Sequence, residues 1–331
     1  MAGALQRAWT GRGPLARLLL PLSLVYSLLA RAHRAGYAAG WRPVYRAPVP
    51  VVVVGNVVAG GAGKTPVVLE IVERLRARGI AAGIVSRGYG RTGEDCLEVT
   101  PDASPLAVGD EPLLLRRKAG VPVFVARRRA DAARALLGAH PGTRVLVADD
   151  GLQHHALARD IEVCVFDGRG TGNGWLLPAG PLREPWPRRV DLVLRHGDAP
   201  GLPGHAMQRT LAPQARRADG TERALSSFRE PGIHAVAGIA GPDAFFAMLR
   251  QAGVPLVATH ALPDHHDFHD AGALPADATL LCTEKDAVKL WRSRPDAWAV
   301  PLQVEIPDDF WQAFERLLEA RLSSPHGSPP P

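Results

Sequence analysis

The sequence is poor in lysine and cysteine, has no N-terminal apolar run long enough to span a bilayer, and places no acid ahead of Glu70. Four lysines (64, 118, 285 and 289) stand among 39 basic residues. With Ala, Gly and Pro abundant, this bias points to the base composition of the gene rather than to chemistry, and it makes each remaining lysine worth inspection. Cys96, Cys164 and Cys282 are widely spaced and odd in number, which speaks against a disulfide framework and a cysteine-type zinc site and suits a reducing cytoplasm. No internal repeat and no nucleic-acid motif occurs. At 46% hydrophobic and 22% charged, the 331 residues have the balance of a globular protein of about two domains rather than of a disordered chain.

The net charge of +6 is a local property. Residues 1–50 carry seven arginines and no acid, whereas residues 51–331 sum to −1. A near-neutral body with one cationic, apolar end speaks against nucleic acid and for an anionic membrane surface. Within that end, Leu18 to Ala30 run 13 residues without a charge, bracketed by Arg12 and Arg17 before and Arg31 and Arg34 after. A spanning helix needs roughly 20 apolar residues, and Pro21 lies inside this one. A secretory signal has a similar three-part composition, with Ala30 and Ala32 as its small pair, but export would separate the motifs below from ATP. The expectation is an interfacial helix region over residues 1–48, with leucines in the acyl boundary, arginines at headgroup level, and Trp9, Tyr26, Tyr37, Trp41 and Tyr45 as anchors. A helix packed on the protein's own core is the alternative.

Val49 to Val54 reads as a continuous apolar strand, the pattern of a parallel sheet covered on both faces. Gly55-Asn-Val-Val-Ala-Gly60-Gly61-Ala-Gly63-Lys64-Thr65-Pro66 follows, and a helix is predicted from about Thr65 to Arg78, with Pro66 in its first turn and Gly79 at its stop. Strand, Gly-rich loop, Lys-Thr and helix form a P-loop. Val58, Ala59, Gly60, Gly61, Ala62, Gly63, Lys64 and Thr65 would cradle phosphates with backbone N–H groups, Lys64 reaching the β- and γ-oxygens and the Thr65 hydroxyl ligating Mg²⁺. The strict pattern wants Gly where Val58 stands. A second strand, Val145 to Ala148, ends in Asp149-Asp150-Gly151-Leu152-Gln153-His154. Carboxylates at the C-terminal end of a parallel strand face the nucleotide crevice, so Asp149 or Asp150 is the expected metal ligand.

Thr283-Glu284-Lys285-Asp286 displaces the lysine of a guanine-reading motif by one position, so guanine is not supported and adenine is expected. Polar clusters follow or precede further apolar segments at Ser86-Arg-Gly-Tyr-Gly-Arg91, Gly109-Asp110-Glu111-Pro112 and Leu177-Pro-Ala-Gly-Pro-Leu-Arg-Glu-Pro185. Asp264-His265-His266-Asp267-Phe268-His269 is the densest titratable cluster. His265 and His269, at i,i+4, could bind metal, although no zincin pattern accompanies them; a solvated loop and a part in proton transfer are the other readings.

Together these motifs resemble the tetraacyldisaccharide 4'-kinase family of lipid A biosynthesis, over residues 10 to 290. Leu152 stands where that family often has Phe. The resemblance implies transfer of the ATP γ-phosphoryl group to the 4'-hydroxyl of a tetraacylated glucosamine disaccharide 1-phosphate, giving lipid IVA. It implies Mg²⁺ as cofactor, the cytoplasmic face of the inner membrane as the place of action, and no obligate protein partner. By position in the family motifs, Asp110 would be the base, His265 its partner, and Glu111 a shaper of the loop. Arg87, Tyr89, Arg91 and Arg183 would contact acceptor or phosphate. The expected architecture is an α/β, P-loop NTPase-like parallel sheet domain over 49–200, a linker with a hairpin turn at Asp219-Gly220 over 201–233, a smaller α/β lobe over 234–322, and a disordered tail over 323–331. A membrane-attached P-loop ATPase that regulates or targets a protein partner is the rival reading.

Overall fold

The computed structural model describes residues 7–197, 199, 201–269, 274, 275 and 277–323. A short helix, α1 (Pro14–Leu18), and a long one, α2 (Leu20–Ala38), come first. The first lobe follows as β1 (Val51–Gly55), α3 (Lys64–Ala77), β2 (Ala82–Ser86), β3 (Leu97–Glu98), α4 (Pro105–Val108), α5 (Asp110–Ala119), β4 (Val123–Val125), α6 (Arg129–Ala139), β5 (Val145–Asp149), β6 (Ile161–Phe166), β7 (Leu192–His196) and β8 (His205–Leu211). The second lobe holds β9 (Gln214–Arg216), β10 (Glu222–Ala224), β11 (Ile233–Ala237), α7 (Pro242–Gln251), β12 (Leu256–Ala261), β13 (Thr279–Thr283), α8 (Glu284–Leu290) and β14 (Trp298–Val300). The chain then returns through β15 (Leu302–Glu305) and α9 (Asp308–Leu322).

The large sheet has the order β15-β8-β7-β6-β1-β5-β2-β4-β3, parallel from β8 to β4 with antiparallel strands at both edges. Strand β1 lies between β5 and β6, and all five of its residues are buried. Val52 and Val54 enter one core while Val51 and Val53 enter the other, because successive side chains of a strand point to opposite faces. Helix α3 buries Val67, Val68, Ile71, Val72 and Leu75, a helical stripe on the first of these cores. The smaller sheet has the order β10-β9-β14-β13-β11-β12.

Two segments lie elsewhere than the sequence suggests. Strand β8, assigned to the linker, is paired parallel to β7 and widens the large sheet. Residues 302–322, assigned to the C-terminal lobe, return to the large sheet: β15 pairs with β8, and α9 buries Phe310, Phe314 and Leu318 in the core beneath α3. Ion pairs from Arg74 to Glu315 at 2.7 Å and from Arg78 to Glu319 at 2.6 Å tie α9 to α3. An amphipathic helix read in isolation carries no signal of which sheet receives its apolar face. The Asp219-Gly220 turn joins β9 to β10, with Gly220 at φ +85° and the Thr221 N–H donating to Asp219 Oδ1. Of the expected tail, Ser323 closes α9 and the remainder lies outside the described residues.

Helix α2 exposes Leu22, Leu24, Val25, Leu28 and Leu29, each more than half accessible. Its other face is fastened to the loop of residues 173–183: Ser23 Oγ donates to the Leu176 carbonyl and accepts from the Ala179 N–H, and the Tyr26 hydroxyl donates to the Arg183 carbonyl. Trp9 Nε1 donates to the Pro178 carbonyl on the same loop. Packing on the body's core, the alternative for this helix, therefore accounts for one face and leaves the leucine face in solvent. Among the described residues no helix is long and apolar enough to cross a membrane.

Candidate active site

The P-loop sits between β1 and α3. Val58, the departure from the strict pattern, is buried and forms a bridge with Leu182, while the Ala59 N–H donates to the Pro181 carbonyl. The loop is thus anchored here through its backbone, with the Val58 side chain buried in the core, and flexibility falls to Gly60, Gly61 and Gly63. Gly63 has φ +74°, a backbone conformation that favours glycine, and a Cβ there would push aside the Arg209 guanidinium. Arg209 donates to the Ala62 carbonyl at 2.6 Å, and Arg169 donates to the Gly61 carbonyl at 3.2 Å. Engaging carbonyls from behind leaves the loop's N–H groups to point at phosphate.

Lys64 opens α3, with its Nζ 3.4 Å from Asp150 Oδ1 and 3.4 Å from the buried Asn56 Oδ1. Thr65 follows it in the first turn. Arg183 reaches Asp150 at 3.2 Å. Burial opposes ionisation of Asp150, but Lys64, Arg183 and Arg129 prevail and hold its carboxyl down at about 2. Asp149 is the contrary case. Buried, and repelled by Glu111 and Asp150, its carboxyl is pushed up to about 7, and one oxygen accepts from Ser86 Oγ at 3.2 Å. Two adjacent aspartates thus occupy opposite electrostatic environments, which the left-handed backbone of Asp150, φ +49°, makes possible.

Asp110 stands at the N-terminus of α5, directly after Gly109 at φ +93°, where the helix dipole favours a carboxylate. It is 5% exposed. His265 Nδ1 lies 3.1 Å from its Oδ2, Lys289 Nζ donates to Oδ2 at 3.1 Å, and the Glu111 N–H donates to Oδ1 at 3.2 Å. Burial alone would raise this carboxyl, but His265, Lys285 and Lys289 hold it well below the ordinary aspartate range. His265 comes from the loop after β12, with φ +62°, so the pair joins the two lobes. His266 turns away and accepts the Phe268 N–H at 3.0 Å. The Tyr89 ring lies 5.0 Å from that of His265, and both line a cleft of about 230 Å³ with Asp110, Leu106, Phe268 and Lys289. Glu111 pairs with Lys285 at 3.1 Å and repels Asp149, which links this cluster to the phosphate end.

Arg87 is exposed; both terminal nitrogens of Arg91 are buried without a hydrogen-bond partner among the described residues. Several residues at the site were given no role by the sequence. Arg129 is buried and donates to the Asp149 carbonyl at 3.0 Å and the Asp150 carbonyl at 2.6 Å, holding the acidic turn. Its place in the run Arg127-Arg128-Arg129 reads as a solvated face. Gln153 donates to the Asn56 carbonyl and to Glu184. Lys285 and Lys289 could have been found by the scarcity of lysine.

The residues present suit Mg²⁺. Asp149, Asp150 and Thr65 are hard oxygen donors, few enough to need phosphate oxygens to complete an octahedron, and the buried Asp149 resists ionisation even with Lys64 and Arg129 acting on it, so a further cation would favour its carboxylate. A phosphate-cradling loop, an acidic strand end and a carboxylate–imidazole pair across a cleft define an ATP-dependent phosphotransferase of the P-loop class.

A family model for LpxK, tetraacyldisaccharide-1-P 4'-kinase, matches residues 15–321. A tetraacyldisaccharide 4'-kinase of Acidovorax ebreus is 56% identical over 330 residues, covering 98% of this chain and 97% of that one. One from Delftia acidovorans is 53% identical, covering 96% of each chain. Among solved structures, the "apo" form of LpxK from Aquifex aeolicus in complex with ATP is similar at a TM-score of 0.78 and 27% identity, over 92% of this chain and 99% of that one. The chain belongs to the tetraacyldisaccharide-1-P 4'-kinase family, whose members are ATP-dependent lipid kinases.

Proposed function

We propose that the protein transfers the γ-phosphoryl group of ATP to the 4'-hydroxyl of a tetraacylated glucosamine disaccharide 1-phosphate, with Asp110 as the base. The observation that carries this reading is the Asp110–His265 pair, 3.1 Å apart and joined across the two lobes at the edge of an open cleft. A sugar hydroxyl is a poor nucleophile, so the transfer needs positioning, charge neutralisation and a proton acceptor. Lys64 steadies the transferring phosphate, with the N–H groups of residues 60–65 supporting the polyphosphate; Ala59, whose N–H is held by the Pro181 carbonyl, and the buried Val58 drop out of the expected cradle. Thr65, Asp149 and Asp150 would hold Mg²⁺, which when bound neutralises charge on the phosphate oxygens. Asp110, kept ionised by its neighbours, takes the hydroxyl proton, and His265 orients it. Glu111 shapes the start of α5, while Arg87, Tyr89, Arg91 and Arg183 receive the acceptor and its phosphate.

The acceptor's acyl chains stay in the bilayer, and the leucine face of α2 supports peripheral attachment of residues 1–48 at the cytoplasmic face of the inner membrane. The body then works as a first lobe to about residue 211 with 302–322, and a second lobe over 212–301. Labelled phosphate from ATP should appear on the lipid disaccharide, with little ATP hydrolysis in its absence. Rapid hydrolysis without lipid and no labelled lipid would instead favour a partner-regulating ATPase.

A further inference from the structure

Three of the four lysines meet at one contact. Lys118 lies on α5, Lys285 and Lys289 on α8, and each bridges the two helices across the junction of the lobes. Lys118 pairs with Glu284 at 2.8 Å, Lys285 with Glu111 at 3.1 Å and Lys289 with Asp110 at 3.1 Å. The i,i+4 spacing puts Lys285 and Lys289 on one face of α8, and their side chains are 16% and 11% exposed.

Their donors determine the state of the dyad. An ammonium only donates, so Lys285 Nζ, 3.3 Å from His265 Nε2, requires that nitrogen to accept. The ring proton is then on Nδ1, the nitrogen that faces Asp110. Lys289 engages Oδ2 of the same carboxylate, and the Glu111 N–H engages Oδ1. The charged and titratable groups facing Asp110 are thus His265 from the loop after β12, Lys285 and Lys289 from α8, and on its own helix the positive N-terminus. Lys285 in turn is surrounded by Glu111, Asp110 and Asp264, whose carboxylates outweigh burial and raise its ammonium above the usual lysine range.

We propose that Lys289 and Lys285 are positioning residues for phosphoryl transfer: Lys289 orients the Asp110 carboxylate, and Lys285 fixes His265 in the tautomer that donates to it. This rests on the reading of Asp110 as base. A consequence is that the base is assembled only when α8 of the second lobe lies against α5 of the first.

The test uses the full chain with acceptor in mixed vesicles and ATP-Mg²⁺. Lys289→Met should lower kcat about tenfold, leave KM for ATP within about twofold, and move the acid limb of kcat/KM to higher pH by about one unit, since removing a cation makes the carboxylate easier to protonate. Lys289→Arg should restore most of both. Lys118→Met, which breaks the neighbouring bridge between the same helices, should change neither. Wild-type kcat and pH profile in Lys289→Met, or the same losses in Lys118→Met, would overturn the proposal. If Lys289→Met does not fold, Lys285→Met carries the test: its kcat should fall and the His265 ring ¹⁵N shifts should move toward the other tautomer, and an unchanged tautomer overturns the proposal. Asp110→Ala separates the two levels. If it retains transfer, the base reading fails and this inference with it; if it is inactive while Lys289→Met behaves as wild type, this inference alone fails.

Discussion

Replacing Leu24 and Leu28 by serine tests the membrane face where its energetics are simplest. Both lie on the exposed side of α2, 66% and 65% accessible, one helical turn apart. Full burial of a leucine contributes about 2 kcal/mol, so inserting the accessible two-thirds and avoiding a serine in the acyl boundary gives about 1.5 kcal/mol per site. Together the two changes weaken membrane partition by about 3 kcal/mol, on the order of a hundredfold. Folding stability should move by less than about 0.5 kcal/mol, since exposed side chains away from the core have little effect on it. The assay is sedimentation with anionic vesicles, with thermal unfolding and ATP binding as controls. Added salt should weaken wild-type binding further, because each arginine near an anionic surface contributes about 1 kcal/mol. Unchanged sedimentation of the double variant with both controls intact would refute the assignment of this face to the membrane.

Two further changes probe the interior. Arg129→Met leaves the Asp149 and Asp150 carbonyls without their donor, and should cost about 2–4 kcal/mol in urea unfolding; a loss below about 1 kcal/mol would mean the acidic turn holds itself. His154 is kept neutral by burial and by Arg129 and Arg159, its imidazole held down at about 3 while Nε2 accepts the Arg129 N–H. The unfolded chain therefore binds a proton near pH 6.5 that the folded protein refuses. Stability is full above that pH and falls as pH drops toward 3, by about 1–2 kcal/mol between pH 6.5 and 5. Melting curves should record this fall, and His154→Gln should flatten it; an equal slope in the variant would assign the acid sensitivity elsewhere.

The parts that follow from local rules were legible. The valine run of β1, the Lys-Thr start of α3 and the Asp149-Asp150 strand end are short-range signals, and the resemblance supplied the pairing of Asp110 with His265 that no spacing could give. What the sequence hides is where distant segments meet. Residues 302–322 return to the large sheet through the pairing of β15 with β8 and the burial of Phe310, Phe314 and Leu318, and α9 meets α3 through Arg74, Arg78, Glu315 and Glu319, residues that read alone as ordinary surface charges. Arg129 is lost in a basic run, and its partners are backbone carbonyls, which have no sequence signature. Val58, which breaks the P-loop pattern, is buried and its backbone bridges Leu182, a partner 124 residues away in the chain.

As the proposed base, Asp110 would act on the acceptor hydroxyl and not on the nucleotide. Single-turnover transfer of labelled phosphate from ATP to the tetraacylated disaccharide 1-phosphate, measured for Asp110→Ala beside ATP affinity by titration, tests it most directly. Transfer should be abolished while ATP affinity stays within about twofold, since removing the base takes away an interaction made in the transition state rather than in nucleotide binding. Persisting transfer, or an affinity for ATP that falls together with it, would contradict that role.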